Sequence, residues 1–592
     1  MAARTIPSRL SGPGAVRPGG SGRSHTSPAP ASRGFSFIAA RLASRGTRLT
    51  TTLLRYTVSN DTPYLKGRVL DVNSTSVLVV GGGLAGLSAA MFLAWRKVPT
   101  VLVERHPGSS PHPRAIGFTP RTLELFRAVG LGSRIPQAPP DFRLRRARVE
   151  SLAGKWFEES SWTPEDPQAS PIEYSPCSGA ALAQDRLEPI LRDKAIALGA
   201  DIRLETELIR FEQDADGVTV WLRERNGREY TMRAAYVIAA DGHRSPIREA
   251  LGIGRQGRGT MRVVRSVLFR APLEKYLEAG VSQFQIEQPG LSAFLTTYGD
   301  GRWVLMFSDD EERDEPTLRT LVSKAIGRSD LEIELITTGR WELSALIADR
   351  FSAGRVFLAG DAAHTLPPNR GGYGANTGID DAHNLAWKLS AVLSGASTPQ
   401  LLDTYDAERR PIAWLRHQQI FVRTDYKAEA AGTAADAKII DDAAMEFGQL
   451  YRSAAVLGTS DDLPPAQRPD QWAGQPGTRA PHLWISKGGE RLSTLDLLQR
   501  SWVLLAEDER WAPAATLAAR QLGLPLESLR IGADVRPSDP EALHKAFGLG
   551  AGGASLIRPD GYVAWRSSEL PADPLRALTD ALGQVSFAAR RS

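Results

Sequence analysis

The stretch SVLVVGGGLAGLSAAMFLAWRKVPTVLVE, residues 76–104, sets the expected fold of the chain. It opens with an aliphatic run that is typical of a buried parallel strand, and Gly81, Gly83 and Gly86 follow at once. The first glycine permits a tight turn, the second lets the backbone approach a pyrophosphate, and the third lets the next helix pack close to the strand. Glu104 ends the following strand, about 20 residues later, where a carboxylate can bind ribose hydroxyls. The stretch therefore predicts a βαβ unit that binds an adenine dinucleotide.

The helix of this unit begins directly after the glycines. Leu84, Leu87, Met91 and Ala94 recur at helical spacing, which predicts one apolar face against the sheet and an amide end directed at the phosphates. A glycine turn alone is a weak indication, because such turns also precede helices for packing reasons. The strand, the helix and the acid together favour a dinucleotide site. They do not distinguish FAD from NAD.

Length and charge bound the domain count and the partners. With 592 residues the chain exceeds the usual size of one hydrophobic core, so about two or three domains are expected. The formal net charge is +5, yet residues 1–60 hold nine arginines and neither Asp nor Glu. Subtracting that +9 leaves −4 for residues 61–592, so the globular part offers no compositional argument for nucleic-acid binding.

Residues 1–70 form a predicted basic extension that is rich in Ser, Arg, Pro and Gly. This composition is typical of an organellar transit peptide, and equally of a disordered leader or of a start site placed too far upstream. We expect a cytoplasmic protein. A mitochondrial location is the alternative if residues 1–60 are a transit peptide.

Three further classes of site lack support in the sequence. No apolar run approaches the roughly 18 to 20 residues that a membrane span needs, so no stable membrane insertion is expected. Cys177 is the only cysteine, which excludes an intramolecular disulfide and a dithiol redox centre. The nine histidines have no metal-ligand spacing, so no metal site is predicted.

Two later strands each lead to an aspartate. One apolar strand runs into Asp241 and another delivers Asp361, and an acid at the carboxyl end of a strand points to the sheet edge where α/β proteins bind ligands. The glycine-rich residues 371–378 then open a helix whose electropositive amide end suits an anion. We expect His364 to be a structural residue rather than a base, because no partner acid is evident.

The segments between these motifs predict a flanking loop, a helix and a second sheet. The loop PHPRAIG, residues 111–117, contains Arg114, whose guanidinium can bind an anion bidentately. Residues 184–198 have helical periodicity, and Gly199 would end that helix. Residues 260–345 alternate strand-like stretches without a glycine-rich nucleotide loop, so we interpret them as a sheet that carries the substrate.

Three separated motifs agree: GGGLAG with Glu104, ADG at residues 240–242, and GDAAH at residues 360–364. In this order they resemble the class A flavoprotein monooxygenases, which are aromatic hydroxylases with one FAD domain and NADPH or NADH as external reductant. The resemblance covers residues 76–425. The later stretches GQPGTRAPHLWI and ASLIRPDGYVAWR resemble the thioredoxin-like domain of phenol hydroxylases and of polyketide hydroxylases of the anthracycline and tetracenomycin type. Phrases such as HPRAIGFTPRTLEL look more similar to the polyketide branch.

The resemblance implies a mixed α/β fold in several parts. A Rossmann-like FAD-binding domain of the glutathione-reductase type is expected over residues 71–260 and 346–425, with a β-sheet substrate domain over residues 261–345. A helix and linker would occupy residues 426–470. A thioredoxin-like domain without redox cysteines would occupy residues 471–592 and act in packing or dimerisation.

The resemblance also assigns FAD contacts, residue by residue. The residues that it places against FAD are Gly81, Gly83, Leu84, Ala85, Gly86, Glu104, Arg114, Gln184, Asp241, Asp361, Gly374, Ala375 and Asn376. The glycine turn and Glu104 would hold the ADP half, Asp241 would also serve NAD(P)H, and Asp361 would bind the ribityl-pyrophosphate region. The backbone of residues 374–376 would lie near the pyrimidine edge of the flavin, in a loop one residue longer than in many members. No catalytic residue is assigned.

The implied reaction is a hydroxylation. NADPH or NADH reduces the flavin, O2 adds to form a C4a-hydroperoxide, and the distal oxygen transfers to a phenolic or polyketide-derived ring. A small aromatic substrate and O2 are therefore the expected partners, with a homodimer as a further possibility. Baeyer-Villiger oxidation, epoxidation and antibiotic inactivation remain alternatives, because the FAD motifs would be identical. An FAD-binding protein without catalysis is disfavoured, since all three motifs keep their chemical residues.

Overall fold

The computed structural model describes residues 73–139, 145–161, 172–368, 372–423, 438–498 and 500–589. The predicted extension over residues 1–70, and Asn369-Arg370 in the lengthened loop, lie outside these ranges. Among the described helices, none combines the length and the apolar character that crossing a membrane requires.

Strands and α-helices alternate along the whole described chain. The first group is β1 (Ser74–Val80), α1 (Leu84–Trp95), β2 (Thr100–Glu104), β3 (Gly117–Phe118), α2 (Pro120–Ala128), β4 (Arg145–Val149), β5 (Trp156–Ser161), β6 (Ala180–Ala181), α3 (Gln184–Leu198), β7 (Asp201–Leu204), β8 (Thr206–Gln213), β9 (Val218–Glu224), β10 (Glu229–Ala239) and α4 (Pro246–Ala250). The second group is β11 (Arg255–Arg270), β12 (Gln283–Gln288), β13 (Leu291–Thr297), β14 (Arg302–Phe307), α5 (Glu315–Ile326), β15 (Glu334–Ala348), β16 (Ser352–Ala353), β17 (Val356–Leu358), β18 (His364–Thr365), α6 (Tyr373–Leu393) and α7 (Asp403–Val422). The third group is α8 (Asp442–Phe447), α9 (Pro469–Trp472), β19 (Trp484–Lys487), β20 (Glu490–Ser493), β21 (Trp502–Ala506), α10 (Trp511–Leu522), β22 (Leu526–Arg530), β23 (Arg536–Pro537), α11 (Pro540–Phe547), β24 (Ala554–Ile557), β25 (Val563–Ser567) and α12 (Pro574–Ser586).

The first sheet contains the predicted βαβ unit. Its strands run in the order β17, β10, β1, β2 and β7, and each of these neighbours pairs in parallel. Parallel strands end at the same edge of a sheet. Gly81, Glu104, Asp241 and Asp361 stand at or just after the ends of β1, β2, β10 and β17, so they share that edge.

Helix α1 is more buried than its periodicity predicts. We expected one apolar face against the sheet, but every residue of α1 except Ala85 is buried. The reason is that α1 contacts α3 and α6 in addition to the strands, so protein surrounds it on all sides. The expectation of a single apolar face was wrong.

The second sheet runs in the order β18, β15, β11, β14, β13, β12, β4 and β5. It contains the segment predicted to carry the substrate, but it also takes β4 and β5 from residues 145–161, far earlier in the chain. Strand β18 pairs with the end of β15 and lies directly after the Asp361 turn. The second sheet is therefore joined to the edge of the first, while the proposed domain boundaries stay a prediction.

The C-terminal unit is a small α/β structure. Its main sheet has the order β22, β21, β24 and β25, with β21 and β22 parallel and the other pairs antiparallel. Helix α10 connects the parallel pair, and α12 packs against α10. The hairpin of β24 and β25 turns at residues 559–561, as the sequence predicts. The thioredoxin-like assignment of this unit stays a prediction.

Candidate functional site

The glycine turn leaves room where the phosphates of a dinucleotide would lie. A Cβ on Gly81 would come 2.2 Å from the carbonyl oxygen of Ala240, and one on Gly86 would come 1.9 Å from that of Gly81, so neither position tolerates a side chain. A Cβ on Gly83 would meet nothing closer than Oε1 of Glu188, at 3.9 Å. Gly83 is the N-cap of α1. Its open surroundings fit a phosphate bound at a helix N-terminus.

Glu104 is held in place at the end of β2. Its Oε2 accepts a hydrogen bond from the backbone N–H of Gly82 at 2.6 Å, and its Oε1 accepts one from the backbone N–H of His106 at 2.8 Å. The side chain is 14% exposed. Each carboxylate oxygen keeps a second lone pair, so Glu104 can still accept hydrogen bonds from a ribose diol.

The first turn of α1 meets the Asp361 turn at Ala85. A Cβ on Gly360 would lie 2.8 Å from the Cβ of Ala85, and a Cβ on Gly378 would lie 3.3 Å from the same atom. Leu84 is buried in the core, so only its backbone can face a ligand. The glycine turn, the Asp361 turn and α6 therefore pack together through residues without bulky side chains.

Arg114 and Asp361 come together from distant parts of the chain. Nη2 of Arg114 lies 3.6 Å from Oδ2 of Asp361, and the side chains are 52% and 35% exposed. His243 lies in the same charged group, and burial lowers its pKa. An anion would pair with Arg114, and a hydroxyl would donate to Asp361. This open pair fits the predicted contact with the polar chain of FAD.

Asp241 presents an acceptor that the described part of the protein does not satisfy. Its Oδ2 accepts a hydrogen bond from the backbone N–H of Ile247 at 3.2 Å. Its Oδ1 is buried and has no hydrogen-bond partner among the described residues. Burial raises the pKa of this carboxyl. An unsatisfied buried acceptor is costly, and a cofactor hydroxyl would remove that cost.

Gln184 lies beside the Arg114 loop at the start of α3. Helix α3 has the predicted bounds and ends at Gly199 in the left-handed conformation, with φ 105°. Nε2 of Gln184 donates to Oε1 of Glu188 at 2.6 Å, and its Oε1 accepts from the N–H of Ala115 at 3.3 Å. Glu188, whose pKa burial raises, also approaches Gly83. The sequence analysis missed Glu188, although its spacing of four from Gln184 placed it on the same face of α3.

The start of α6 offers its backbone rather than side chains. Nδ2 of Asn376 donates to the carbonyl of Gly372 at 2.8 Å, and its Oδ1 accepts from Oγ1 of Thr122 at 2.6 Å. Ala375 packs against the core, and a Cβ on Gly374 would lie 3.7 Å from the nearest protein atom. These contacts leave only amide groups for a flavin, so the predicted backbone role of residues 374–376 is compatible with the geometry.

His364 has a partner acid, contrary to our expectation. Its Nε2 lies 2.7 Å from Oδ2 of Asp381, and both side chains are fully buried. Nε of Arg409 donates to Oδ1 of Asp381 at 2.7 Å, and the N–H of Gly360 donates to Oδ2 at 3.2 Å. Burial disfavours the ionised carboxylate, but His364 and Arg409 outweigh it and lower the pKa of Asp381 to about 2. The acid escaped notice because α6 brings it back beneath the turn from 17 residues further along the chain.

An apolar cluster stands between the Arg114 loop and the second sheet. The hydroxyl of Tyr298 donates to the carbonyl of Pro113 at 2.7 Å, and burial raises the pKa of Tyr298 well above its usual range. Nε2 of His112 lies 2.8 Å from Oγ of Ser266. The other members of the cluster are aliphatic: Ile116, Ala183, Leu268, Val304, Met306 and Ile336. This side of the site suits a flat apolar ligand.

Comparison with known proteins identifies both halves of the chain. A family model described as an FAD binding domain matches residues 74–419, and a model described as aromatic-ring hydroxylase, C-terminal, matches residues 473–586. The 4-methyl-5-nitrocatechol 5-monooxygenase of a Burkholderia species is 41% identical over 86% of this chain and 97% of its own length. The aklavinone 12-hydroxylase of Streptomyces purpurascens is 40% identical over 87% of this chain and 99% of its own length.

The fold agrees with these matches. The crystal structure of aklavinone-11 hydroxylase in a ternary complex with FAD and aklavinone has a TM-score of 0.78 and 39% identity, over 86% of this chain and 99% of that chain. The sequence resemblance to flavoprotein hydroxylases is therefore confirmed by independent comparisons of sequence and of fold. The chain belongs to the FAD-dependent aromatic-ring hydroxylases, a family of flavoprotein monooxygenases.

Proposed function

We propose that the protein uses NADPH or NADH and O2 to hydroxylate a phenolic or polyketide-derived aromatic ring. One observation carries the proposal: Gly83, Glu104, Asp241 and Asp361 share one sheet edge, and an apolar cluster of the second sheet adjoins it. Such an arrangement can hold FAD at the edge and an aromatic substrate against the second sheet. The names of the relatives support this class, since they refer to a nitrocatechol and to aklavinone.

The residues at the sheet edge would bind and orient FAD. The open backbone at Gly83 and the N-terminus of α1 would accept the pyrophosphate. Glu104 would hold the ribose, and the unsatisfied Oδ1 of Asp241 and the carboxylate of Asp361 would accept hydrogen bonds from cofactor hydroxyls. The bound flavin supplies the redox and oxygen chemistry, while the chain supplies binding and orientation.

The residues around the apolar cluster would position the substrate and exclude water. The amides at the start of α6 would stabilise negative charge at the pyrimidine edge of the flavin. Tyr298 is committed to Pro113, so it would fix the Arg114 loop rather than deprotonate a phenol. Exclusion of water by the aliphatic side chains would strengthen each of these polar interactions.

Product analysis tests this function directly. Purified yellow protein would be given NADPH or NADH with 4-methyl-5-nitrocatechol, aklavinone or phenol, and reductant oxidation would be measured together with hydrogen peroxide release. We expect a substrate that stimulates oxidation and gains one ring oxygen, identified by mass spectrometry and NMR. A lactone would show Baeyer-Villiger chemistry instead, and a protein without bound flavin would contradict the proposal altogether.

Two further expectations belong to this proposal. We expect a cytoplasmic enzyme, and a homodimer is the oligomeric state that the sequence resemblance suggests. Cell fractionation with an antibody against the native protein tests the location. Light scattering of the FAD-loaded protein tests the oligomeric state.

A further inference from the structure

The neighbours Glu408 and Arg409 on α7 belong to two different buried networks. They are 1% and 0% exposed. Consecutive residues on a helix point about 100° apart, so adjacent side chains can contact different elements. Glu408 contacts the C-terminal unit, whereas Arg409 contacts the base of the Asp361 turn.

On the C-terminal side, Glu408 is enclosed by cations. Arg558 donates from Nη1 to Oε1 of Glu408 at 2.6 Å and from Nη2 to Oε2 at 2.9 Å, and Nζ of Lys388 donates to Oε2 at 2.8 Å. Arg558 also pairs with Asp560, whose Oδ2 accepts from Nε1 of Trp387 at 3.0 Å. The hairpin of β24 and β25 thus inserts charged groups between α6 and α7. A bidentate pair of this kind has one geometry, so the hairpin is fixed against both helices.

On the cofactor side, Arg409 determines the orientation of Asp381. Its guanidinium donates to Oδ1 of Asp381 at 2.7 Å, to the carbonyl of Thr377 at 3.2 Å and to the hydroxyl of Tyr451 at 2.8 Å. Oδ2 of Asp381 in turn accepts from the N–H of Gly360, the residue before Asp361. The carboxylate that holds the backbone of the Asp361 turn is therefore fixed by Arg409.

The stacked rings of Tyr451 and Tyr562 connect the two networks. Their centroids lie 4.1 Å apart with an interplanar angle of 14°. Tyr562 belongs to the β24–β25 hairpin, and the guanidinium of Arg558 lies 5.6 Å from the ring centroid of Tyr451. A contact series therefore leads from Tyr562 through Tyr451 and Arg409 to Asp381 and the Gly360 backbone.

We propose that the C-terminal unit positions the Asp361 turn for FAD through Tyr562, Tyr451 and Arg409. These are positioning residues, because each acts on the turn through another side chain. When the stack is lost, Arg409 loses the support of its Tyr451 contact and Asp381 gains freedom to release the Gly360 amide. FAD binding must then restore that order, which lowers the affinity. The inference goes beyond the proposed function, because it concerns FAD retention whatever the substrate is.

The first test compares two truncations in the same hairpin. Tyr562→Leu removes the ring that stacks on Tyr451. Trp565→Leu removes a ring that contacts Trp511 inside the C-terminal unit, at 6.1 Å between centroids. Apo-protein of each variant, shown to be folded by circular dichroism, would be titrated with FAD by flavin fluorescence. We expect Tyr562→Leu to raise the FAD Kd about tenfold and Trp565→Leu to leave it within about twofold. Equal changes in both variants, or none in Tyr562→Leu, would overturn the proposal.

The second test removes a single hydroxyl. Tyr451→Phe deletes the acceptor for Arg409 and keeps the ring, whereas Tyr230→Phe deletes a hydroxyl that accepts from Arg203 at 2.9 Å on the far side of the first sheet. Only Tyr451→Phe should weaken FAD binding, by several-fold. Adding Tyr562→Leu to Tyr451→Phe should produce less than the product of the single effects, because both act on Arg409. Fully independent effects would overturn the contact series, while leaving the hydroxylase activity of the loaded wild-type enzyme as a separate question.

Discussion

Oδ2 of Asp381 lies 2.7 Å from Nε2 of His364, and neither side chain has any exposed surface. The same oxygen accepts from the N–H of Gly360, and the second oxygen accepts from Arg409. A carboxylate without solvent stays ionised only when such partners compensate for the lost hydration. Asp381 thus fixes the turn that presents Asp361, and the stability of this turn depends on residues that would never contact FAD.

Two glycines of the turn should respond differently to alanine. Gly83→Ala adds a methyl group that the protein accommodates, since the nearest atom would be 3.9 Å away. We expect the thermal stability of the apo-protein to change little and the FAD affinity to fall by about tenfold or more, because the methyl group occupies the phosphate position. Flavin titration and thermal melts of the apo-protein measure the two effects. Unchanged FAD affinity would show that the pyrophosphate lies elsewhere.

Gly86→Ala is the matched substitution with the opposite outcome. Its Cβ would lie 1.9 Å from the carbonyl oxygen of Gly81, so strand and helix must separate. We expect a loss of folded apo-protein, seen as a lower midpoint in urea unfolding monitored by circular dichroism. A variant as stable as the wild type would contradict the close packing of α1 on the sheet.

Removal of Asp361 should weaken FAD retention. Its carboxylate is partly exposed and lies 3.6 Å from Arg114, so Asp361→Ala removes an acceptor at the sheet edge without opening a core cavity. Hydrogen bonds to charged groups contribute about 1.5 to 3 kcal/mol, which corresponds to a rise in the FAD Kd of roughly tenfold or more. The flavin-to-protein absorbance ratio after gel filtration measures retention. Asp349→Ala, at an exposed position of the same region, serves as the control, and a normal flavin content in Asp361→Ala would refute the assigned role.

Glu446 should make the enzyme less stable as the pH rises. Its Oε1 accepts from the N–H of Arg121 at 2.9 Å, and burial, reinforced by Glu124, raises the pKa of Glu446 from 4.5 to about 7. Between these values the unfolded chain releases the proton and the folded chain keeps it, so the free energy of unfolding falls with pH and levels off above about 7. Glu446→Gln keeps an acceptor for Arg121 and cannot ionise. We expect it to exceed the wild type by about 1 to 3 kcal/mol at pH 8 and to match it below pH 4.5. Urea unfolding across this range measures the difference, and parallel profiles for the two proteins would contradict it.

The sequence was sufficient for the features that depend on local pattern. Gly81, Glu104, Asp241 and Asp361 each follow an apolar strand, and parallel pairing is enough to bring them to one edge. The same strand pattern could not show that β4 and β5 leave the first part of the chain to join the second sheet. That pairing depends on contacts between residues far apart in sequence, which periodicity does not encode.

The buried polar network was out of reach for a related reason. Asp381, Glu408 and Arg558 read as ordinary charged residues of two helices and a turn, and such residues are usually exposed. Their burial follows only when the C-terminal hairpin packs against α6 and α7. The acid beside His364 was missed because helical periodicity does not show which buried turn a helix will face.

Breaking the network at Arg558 should be far more costly than breaking an exposed pair. Arg558→Met leaves Glu408 with Lys388 alone and deprives Asp560 of its cation, in a region where these four side chains are at most 1% exposed. Removing one partner of a buried pair costs about 3 to 5 kcal/mol, because the remaining charge loses its compensation without regaining water. Lys487→Met is the matched control, since its pair with Glu527 is 39% and 44% exposed and should contribute less than about 1 kcal/mol. Urea unfolding followed by tryptophan fluorescence reports on this interface, where Trp387 and Trp502 lie 6.1 Å apart between ring centroids. If Arg558→Met lowered the free energy of unfolding no more than Lys487→Met does, Glu408 and Asp560 could not both be ionised in the folded protein.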